Sequence, residues 1–171
     1  IKMEGAESIA AVMIETIVGA GGVLVPPQGY VEGVRALCDH HNILLICDEV
    51  MVGLGRTGKL WAAQHFEGVM PDILTTAKGL TSGILPLGVV GMTQPIKDFF
   101  MEEPLGWGAT YANHPVAMAC AYEVLKFLVA NDLPGRAAAL EPVMVEEMEH
   151  LGASHPSVRQ ARCVGLMGCL D

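Results

Sequence analysis

The chain has 171 residues, of which 51% are apolar and 17% charged, enough to bury a core of single-domain size and to exclude disordered or fibrous classes. Its formal charge is −9 and its ten lysines and arginines form no cluster, so no nucleic-acid partner is expected. The most apolar stretch, Ile9 to Pro27, is broken by Glu15 and by glycines and falls short of a membrane span.

In chain order, short apolar runs alternate with amphipathic stretches, the pattern of an α/β fold with a mostly parallel sheet and flanking helices. A strand is expected over Ala10 to Glu15, then a glycine-rich segment ending in Pro26 and Pro27, then a helix from Tyr30 to His41 with Val31, Val34, Leu37 and Cys38 at helical spacing. Ile43 to Cys47 reads as a strand buried on both faces and ends on two acids, Asp48 and Glu49. A glycine loop, Gly53 to Gly58, leads to a short helix near Leu60 to Phe66, and a third strand, Asp72 to Thr76, stops just before Lys78. Strands joined by crossovers lie parallel, which brings Glu15, Asp48 and Lys78 to one carboxyl edge of the sheet, where open α/β sheets bind ligands. Too few residues follow Lys78 for another helical crossover, so the run Val89 to Met92 is expected to be antiparallel. Helices follow over Pro95 to Met101, His114 to Ala130 and Pro134 to Leu151, and Val158 to Leu170 reads as the first strand of a further unit. Beginning at Ile1 and ending at Asp171 within an apolar run, the sequence is expected to be a piece of a longer chain, and the piece alone to be inactive.

Two constellations carry chemistry. Gly53-Leu54-Gly55-Arg56-Thr57-Gly58 matches the GxGxxG dinucleotide pattern, but two acids and three apolar residues separate it from its strand, and the position 20 beyond Gly58, where an acid should hold the ribose, is Lys78. Dinucleotide binding stands as the alternative reading. Asp48 and Lys78, each closing a strand, are the two groups that pyridoxal phosphate asks of a protein: a lysine amine for a Schiff base and a carboxylate to keep the pyridine nitrogen protonated. The small residues around Lys78 suggest a buried amine activated for nucleophilic and base work. The five cysteines include no CxxC pair, and three lie in apolar runs, which suggests a reducing, cytoplasmic setting with no metal site. His40 and His41 read as a helix end, Arg56 as a residue that fixes its loop, and Met144 and Met148 as helix packing.

The segments DEVMVGLGRTG (Asp48 to Gly58) and PDILTTAKGLTSG (Pro71 to Gly83) resemble the signature of class III aminotransferases. MIETIVGAGGVLVPPQGY (Met13 to Tyr30), GATYANHP (Gly108 to Pro115) and ARCVGLMG (Ala161 to Gly168) match successive segments of the same family, so the resemblance covers nearly the whole chain. Its ω-amino-acid and amine:pyruvate branch, including taurine:pyruvate aminotransferases, is the most similar. The resemblance implies a fold-type I pyridoxal-phosphate transferase, with residues 1–130 in the cofactor-binding large domain and 131–171 forming a linking helix and the start of a small domain. It implies that Lys78 carries the cofactor in Schiff-base linkage, Asp48 pairs with the ring nitrogen and Val50 packs on the ring. Thr110 would reach the phosphate of the neighbouring subunit in a homodimer with shared active sites, and Glu15 would hold or gate an arginine, although Thr16 replaces the usual proline. Met51 stands where other branches carry glutamine. The implied reaction passes an amino group from an ω-amino acid or primary amine, such as taurine or β-alanine, to a keto acid such as pyruvate, by ping-pong exchange through pyridoxamine phosphate. Aminomutases, decarboxylases and epimerases share the same frame. The phosphate-binding loop and the substrate-carboxylate arginine of the family have no counterpart in these residues.

Overall fold

A computed structural model describes residues 1–171. Strand β1 (Ala11–Ile14) leads through a glycine-rich loop into helix α1 (Tyr30–His41), which crosses to β2 (Leu44–Asp48). The chain leaves α1 through Asn42 at φ 54°, a left-handed position that asparagine tolerates, and the Asn42 amide closes the last turn on Cys38 and Asp39 carbonyls. The expected short helix after the glycine loop is a 3-10 turn, Ala62–His65, before β3 (Ile73–Thr76) and β4 (Val89–Met92). The strands form one sheet in the order β1-β2-β3-β4, parallel across the first two pairs and antiparallel between β3 and β4. The topology expected from the crossover lengths is therefore the one observed.

Val31, Arg35 and Cys38 repeat at helical spacing along α1, and all three are buried. Cys38 and Val31 join Leu45 and Cys47 of β2 in the main core, with Ala63 and Val69 from the following connection. Leu45 and Cys47 are fully buried while Leu44 and Ile46 on the other face are only half-buried, so these residues cover one face of β2 completely and not both. Asp72, just ahead of β3, ties the layers together: its Oδ2 accepts from Leu45 N at 2.7 Å and from Arg35 Nη1 at 2.8 Å. Opposite charge on Asp72 and Asp39 lets the Arg35 guanidinium stand burial and holds its proton more firmly than usual, against a desolvation cost that is the largest single influence.

Helices α2 (Gln94–Glu102), α3 (Pro115–Ala130) and α4 (Leu133–Ser154) follow. The run expected to be one terminal strand is instead a hairpin, β5 (Ala161–Val164) and β6 (Met167–Leu170). Gly165, at φ 54°, opens a two-residue turn with Leu166, which reverses a run whose apolar character alone reads as continuous. The hairpin packs on α4. No helix is long and apolar enough to cross a membrane.

Candidate active site

The carboxyl ends of β1, β2 and β3 are adjacent, so Glu15, Asp48 and the segment entering Lys78 lie along one edge. Asp48 pairs in register with Thr75, three residues before Lys78, and the Glu49 amide continues the ladder to Thr75 O at 2.9 Å. The Asp48 carboxylate is oriented by its own turn: Oδ1 accepts from Val50 N at 2.9 Å, while Oδ2 takes no hydrogen bond within the chain. That bond places Val50, half-buried, directly beside the carboxylate.

Lys78 opens a 3-10 turn, Lys78–Thr81, at φ 41°. A non-glycine residue in the left-handed region costs roughly 1 kcal/mol, and such strain gathers at functional sites. Leu80 and Thr81, both buried, anchor the turn, and Cys120 Sγ of α3 donates to Thr81 O at 3.7 Å. Lys78 itself is exposed, at the junction of two open clefts of about 770 and 900 Å³. The burial expected for it is not provided by these residues, because its neighbours Gly79, Ser82 and Gly83 are too small to cover an amine. Lys78 Nζ makes no hydrogen bond or ion pair within the chain.

Glu49 was legible only as an unusual acid, and its part is larger than that. Its side chain is buried at 1% exposure, and its two oxygens accept from Ala62 N and Ala63 N, each at 2.8 Å. Burial pushes its carboxyl above the usual range, and the two amides oppose that shift. The bonds hold the 3-10 turn against the strand end and so fix the path of the chain out of Asp48.

The glycine loop has a packing explanation. A Cβ on Gly55, at φ 92°, would meet Pro134 Cγ at 3.2 Å, and one on Gly58, at φ 87°, would meet Ala138 Cα at 3.2 Å, so α4 lies across the loop. The hairpin turn closes the same loop, since Leu166 N donates to Arg56 O at 3.0 Å. A loop covered by a helix has no open amide cradle for a pyrophosphate, which removes the support for dinucleotide binding. Arg56 does not fix the loop as expected: its side chain is exposed and makes no hydrogen bond. Instead, His65 Nε2 lies 3.0 Å from both Thr57 O and Thr57 Oγ1.

Of the remaining residues, Glu15 reaches the edge, with Oε2 accepting from Gly19 N at 2.9 Å. Thr110 is exposed in a turn ahead of α3 and makes no side-chain hydrogen bond within the chain. No group of three or more His, Cys, Asp or Glu stands together in a way that could hold a metal.

The family model for class III aminotransferases matches residues 1–171. The chain belongs to the class III aminotransferases. It is 41% identical over 176 residues to an omega-aminotransferase of Caulobacter vibrioides, covering 100% of this chain and 40% of that one. With a putrescine aminotransferase of Pectobacterium atrosepticum it shares 39% identity over 166 residues, 96% of this chain and 35% of the relative. The chain thus spans well under half the length of these relatives. Among solved structures, a taurine:2-oxoglutarate aminotransferase from Bifidobacterium kashiwanohense, in complex with PLP and glutamate, superposes with a TM-score of 0.95 at 44% identity, covering 99% of this chain and 38% of that one. A PLP-bound amine transaminase from an uncultivated Pseudomonas species gives 0.94 at 42%, covering 100% and 39%. The architecture of this class III chain is that of the fold-type I pyridoxal-phosphate transferases. Its own residues fit that cofactor: an unpaired lysine amine and a carboxylate with one free oxygen share the sheet edge, and Thr75, the register partner of Asp48, has its Oγ1 buried without a hydrogen-bond partner.

Proposed function

We propose that this chain carries the reacting groups of a pyridoxal-phosphate-dependent transaminase that passes the amino group of an ω-amino acid or primary amine to a keto acid such as pyruvate. The observation that carries the reading is the placement of Asp48 and Lys78 at the carboxyl ends of adjacent parallel strands.

Pyridoxal phosphate, when bound, supplies an electron-poor ring that takes up the electron pair left when a proton leaves the amine-bearing carbon. Lys78 would hold it through Nζ. Its amine would also serve as the base that accepts the proton from the substrate carbon, and Lys78 lies where two clefts give a substrate access. Asp48, kept in place by Val50 N, would hold a proton on the ring nitrogen, and Val50 would pack on one ring face. Glu49 keeps this turn in place without touching the reacting atoms. Thr110, exposed in its turn, suits a contact with the cofactor phosphate of a second subunit, which would make the enzyme a homodimer with shared sites. Residues 1–130 would belong to the cofactor-binding domain, and 131–171 to the linking helix and the start of a small domain. Five free cysteines agree with a cytoplasmic location.

The donor class is supported by the relatives, since taurine and putrescine, named for two of them, both carry the amine on a terminal carbon. The Bifidobacterium enzyme is named for 2-oxoglutarate, which makes that acid a second candidate acceptor. The test uses protein expressed from the complete reading frame. Borohydride should fix the cofactor to the peptide bearing Lys78, and a panel of taurine, β-alanine and putrescine should be deaminated in the presence of pyruvate or 2-oxoglutarate. Label on a different lysine, or loss of carbon dioxide in place of amino transfer, would refute the reading.

A further inference from the structure

The C-terminal hairpin reaches back to the site edge. From β5, Arg162 Nε donates to Gly22 O, in the loop after β1, at 2.7 Å. The guanidinium is held from its own hairpin by Gln160 Oε1 at 2.6 Å and Asp171 Oδ2 at 3.1 Å, and its Nη2 lies 3.8 Å from Cys169 Sγ. The side chain is only 17% exposed. Contact with the loop is close: a Cβ at Gly22, φ 111°, would stand 2.9 Å from Nη2.

The loop it grips is closed on itself. Val18 and Leu24 form a two-way backbone bridge, and the amides of Gly22 and Val23 both donate to Gly19 O, at 3.2 and 3.1 Å. On its other side, Gly19 N donates to Glu15 Oε2 at 2.9 Å. A run of hydrogen bonds therefore leads from Arg162 through Gly22 and Gly19 to the carboxylate at the end of β1. Met167 of β6 packs with Val23, Ile17 and Val52 in one buried cluster, so the same hairpin holds the apolar side of the loop.

We infer that Arg162 is a positioning residue for Glu15, fixing the direction of its carboxylate and thereby setting how the protein binds substrates that carry a second charge. The inference rests on the reading that the sheet edge is the substrate site. Glu15 Oε1 takes no hydrogen bond within the chain, and the residue lines a cavity of about 410 Å³ with Thr16, Pro26 and Tyr30. A carboxylate held in one direction attracts or repels a remote charge at a defined short distance, and one that swings with a loose loop loses that bias to solvent screening. Asp48 and Lys78 stand on other strands, so their chemistry is less affected.

The test compares wild type, Arg162→Gln, Arg162→Lys, Glu15→Gln and the double variant Arg162→Gln/Glu15→Gln, all expressed from the complete reading frame. Arg162→Gln should shift KM for a donor with a second charge, putrescine or β-alanine, by at least about five-fold, the lower end of coupling between separate sites, with a smaller shift for propylamine. Glu15→Gln should show the same pattern, and the double variant should shift KM no further than either single. Arg162→Lys, which keeps one cationic donor, should recover part of the difference, and it carries the comparison if the glutamine variant does not fold. Hydrogen exchange followed by mass spectrometry should show faster exchange over residues 15–24 in Arg162→Gln, whether or not the protein is active. Equal KM shifts for charged and uncharged donors, additive effects, or unchanged exchange would overturn the inference. Absence of amino transfer by wild type would count against the proposed function, and the exchange comparison would still judge the link from Arg162 to Glu15.

Discussion

Replacing Glu49 by glutamine keeps the shape of a side chain that is 1% exposed and removes half of its accepting capacity. In the native chain each carboxylate oxygen accepts one backbone amide, Ala62 N and Ala63 N, at 2.8 Å. Glutamine offers one oxygen, and its NH2 must face the second amide donor to donor. One buried N–H is then left unmatched, which costs about 1–3 kcal/mol. A pH dependence accompanies this loss. Burial raises the carboxyl pKa of Glu49 in the folded state, so its favourable contribution is fully present below the ordinary carboxyl range and is lost as pH rises through the raised value. Glutamine cannot ionise. The variant should therefore be less stable than wild type in urea unfolding, with the deficit largest in mild acid and narrowing toward neutral pH. Equal stability would refute the assignment of both oxygens to the two amides, and a deficit that widens as pH rises would refute the raised carboxyl.

Asp48→Asn should keep the turn bond to Val50 N and still lower kcat on the order of 10³-fold, because an amide cannot hold a proton on a ring nitrogen; steady-state kinetics with saturating cofactor checks this. Lys78→Ala and Lys78→Gly should both fail to take up cofactor label after borohydride. The glycine variant should be about 1 kcal/mol more stable to denaturant than the alanine variant, since φ 41° is free of strain only for glycine. Gly58→Ala should destabilise by at least about 1 kcal/mol, since it joins a left-handed φ of 87° to a 3.2 Å contact with Ala138. No nicotinamide nucleotide should raise the thermal midpoint of the wild type. Asp72→Asn should cost about 1.5–3 kcal/mol in unfolding free energy, because Arg35 would lose a charge-assisted hydrogen bond and keep only the exposed Asp39 as its counter-ion.

Local pattern was enough to place most elements. Alternating runs and helical spacing mark α1, β2 and β4 closely, and the length of each connection decides parallel from antiparallel, because a parallel return needs a crossover and an antiparallel one does not. The same logic brings Asp48 and the Lys78 segment to one edge, since the carboxyl ends of parallel neighbours must meet. Motif order alone assigns the family. Other properties depend on contacts between residues far apart in sequence. The turn at Gly165 splits into two strands a run that reads as one from Val158 to Leu170. The glycines of the Gly53–Gly58 loop look like a phosphate cradle until Pro134 and Ala138 are seen against them. Glu49 is a spare acid in the sequence and becomes a buried cap only because residues 62 and 63 fold back over it. Arg162 lies 140 positions from the loop it holds. The sequence by itself determined which side chains are present and which strand ends carry them, because periodicity and connection length are local properties. Only the tertiary structure decided which of them are buried, oriented or covered, because burial and hydrogen bonding are set by whatever packs alongside.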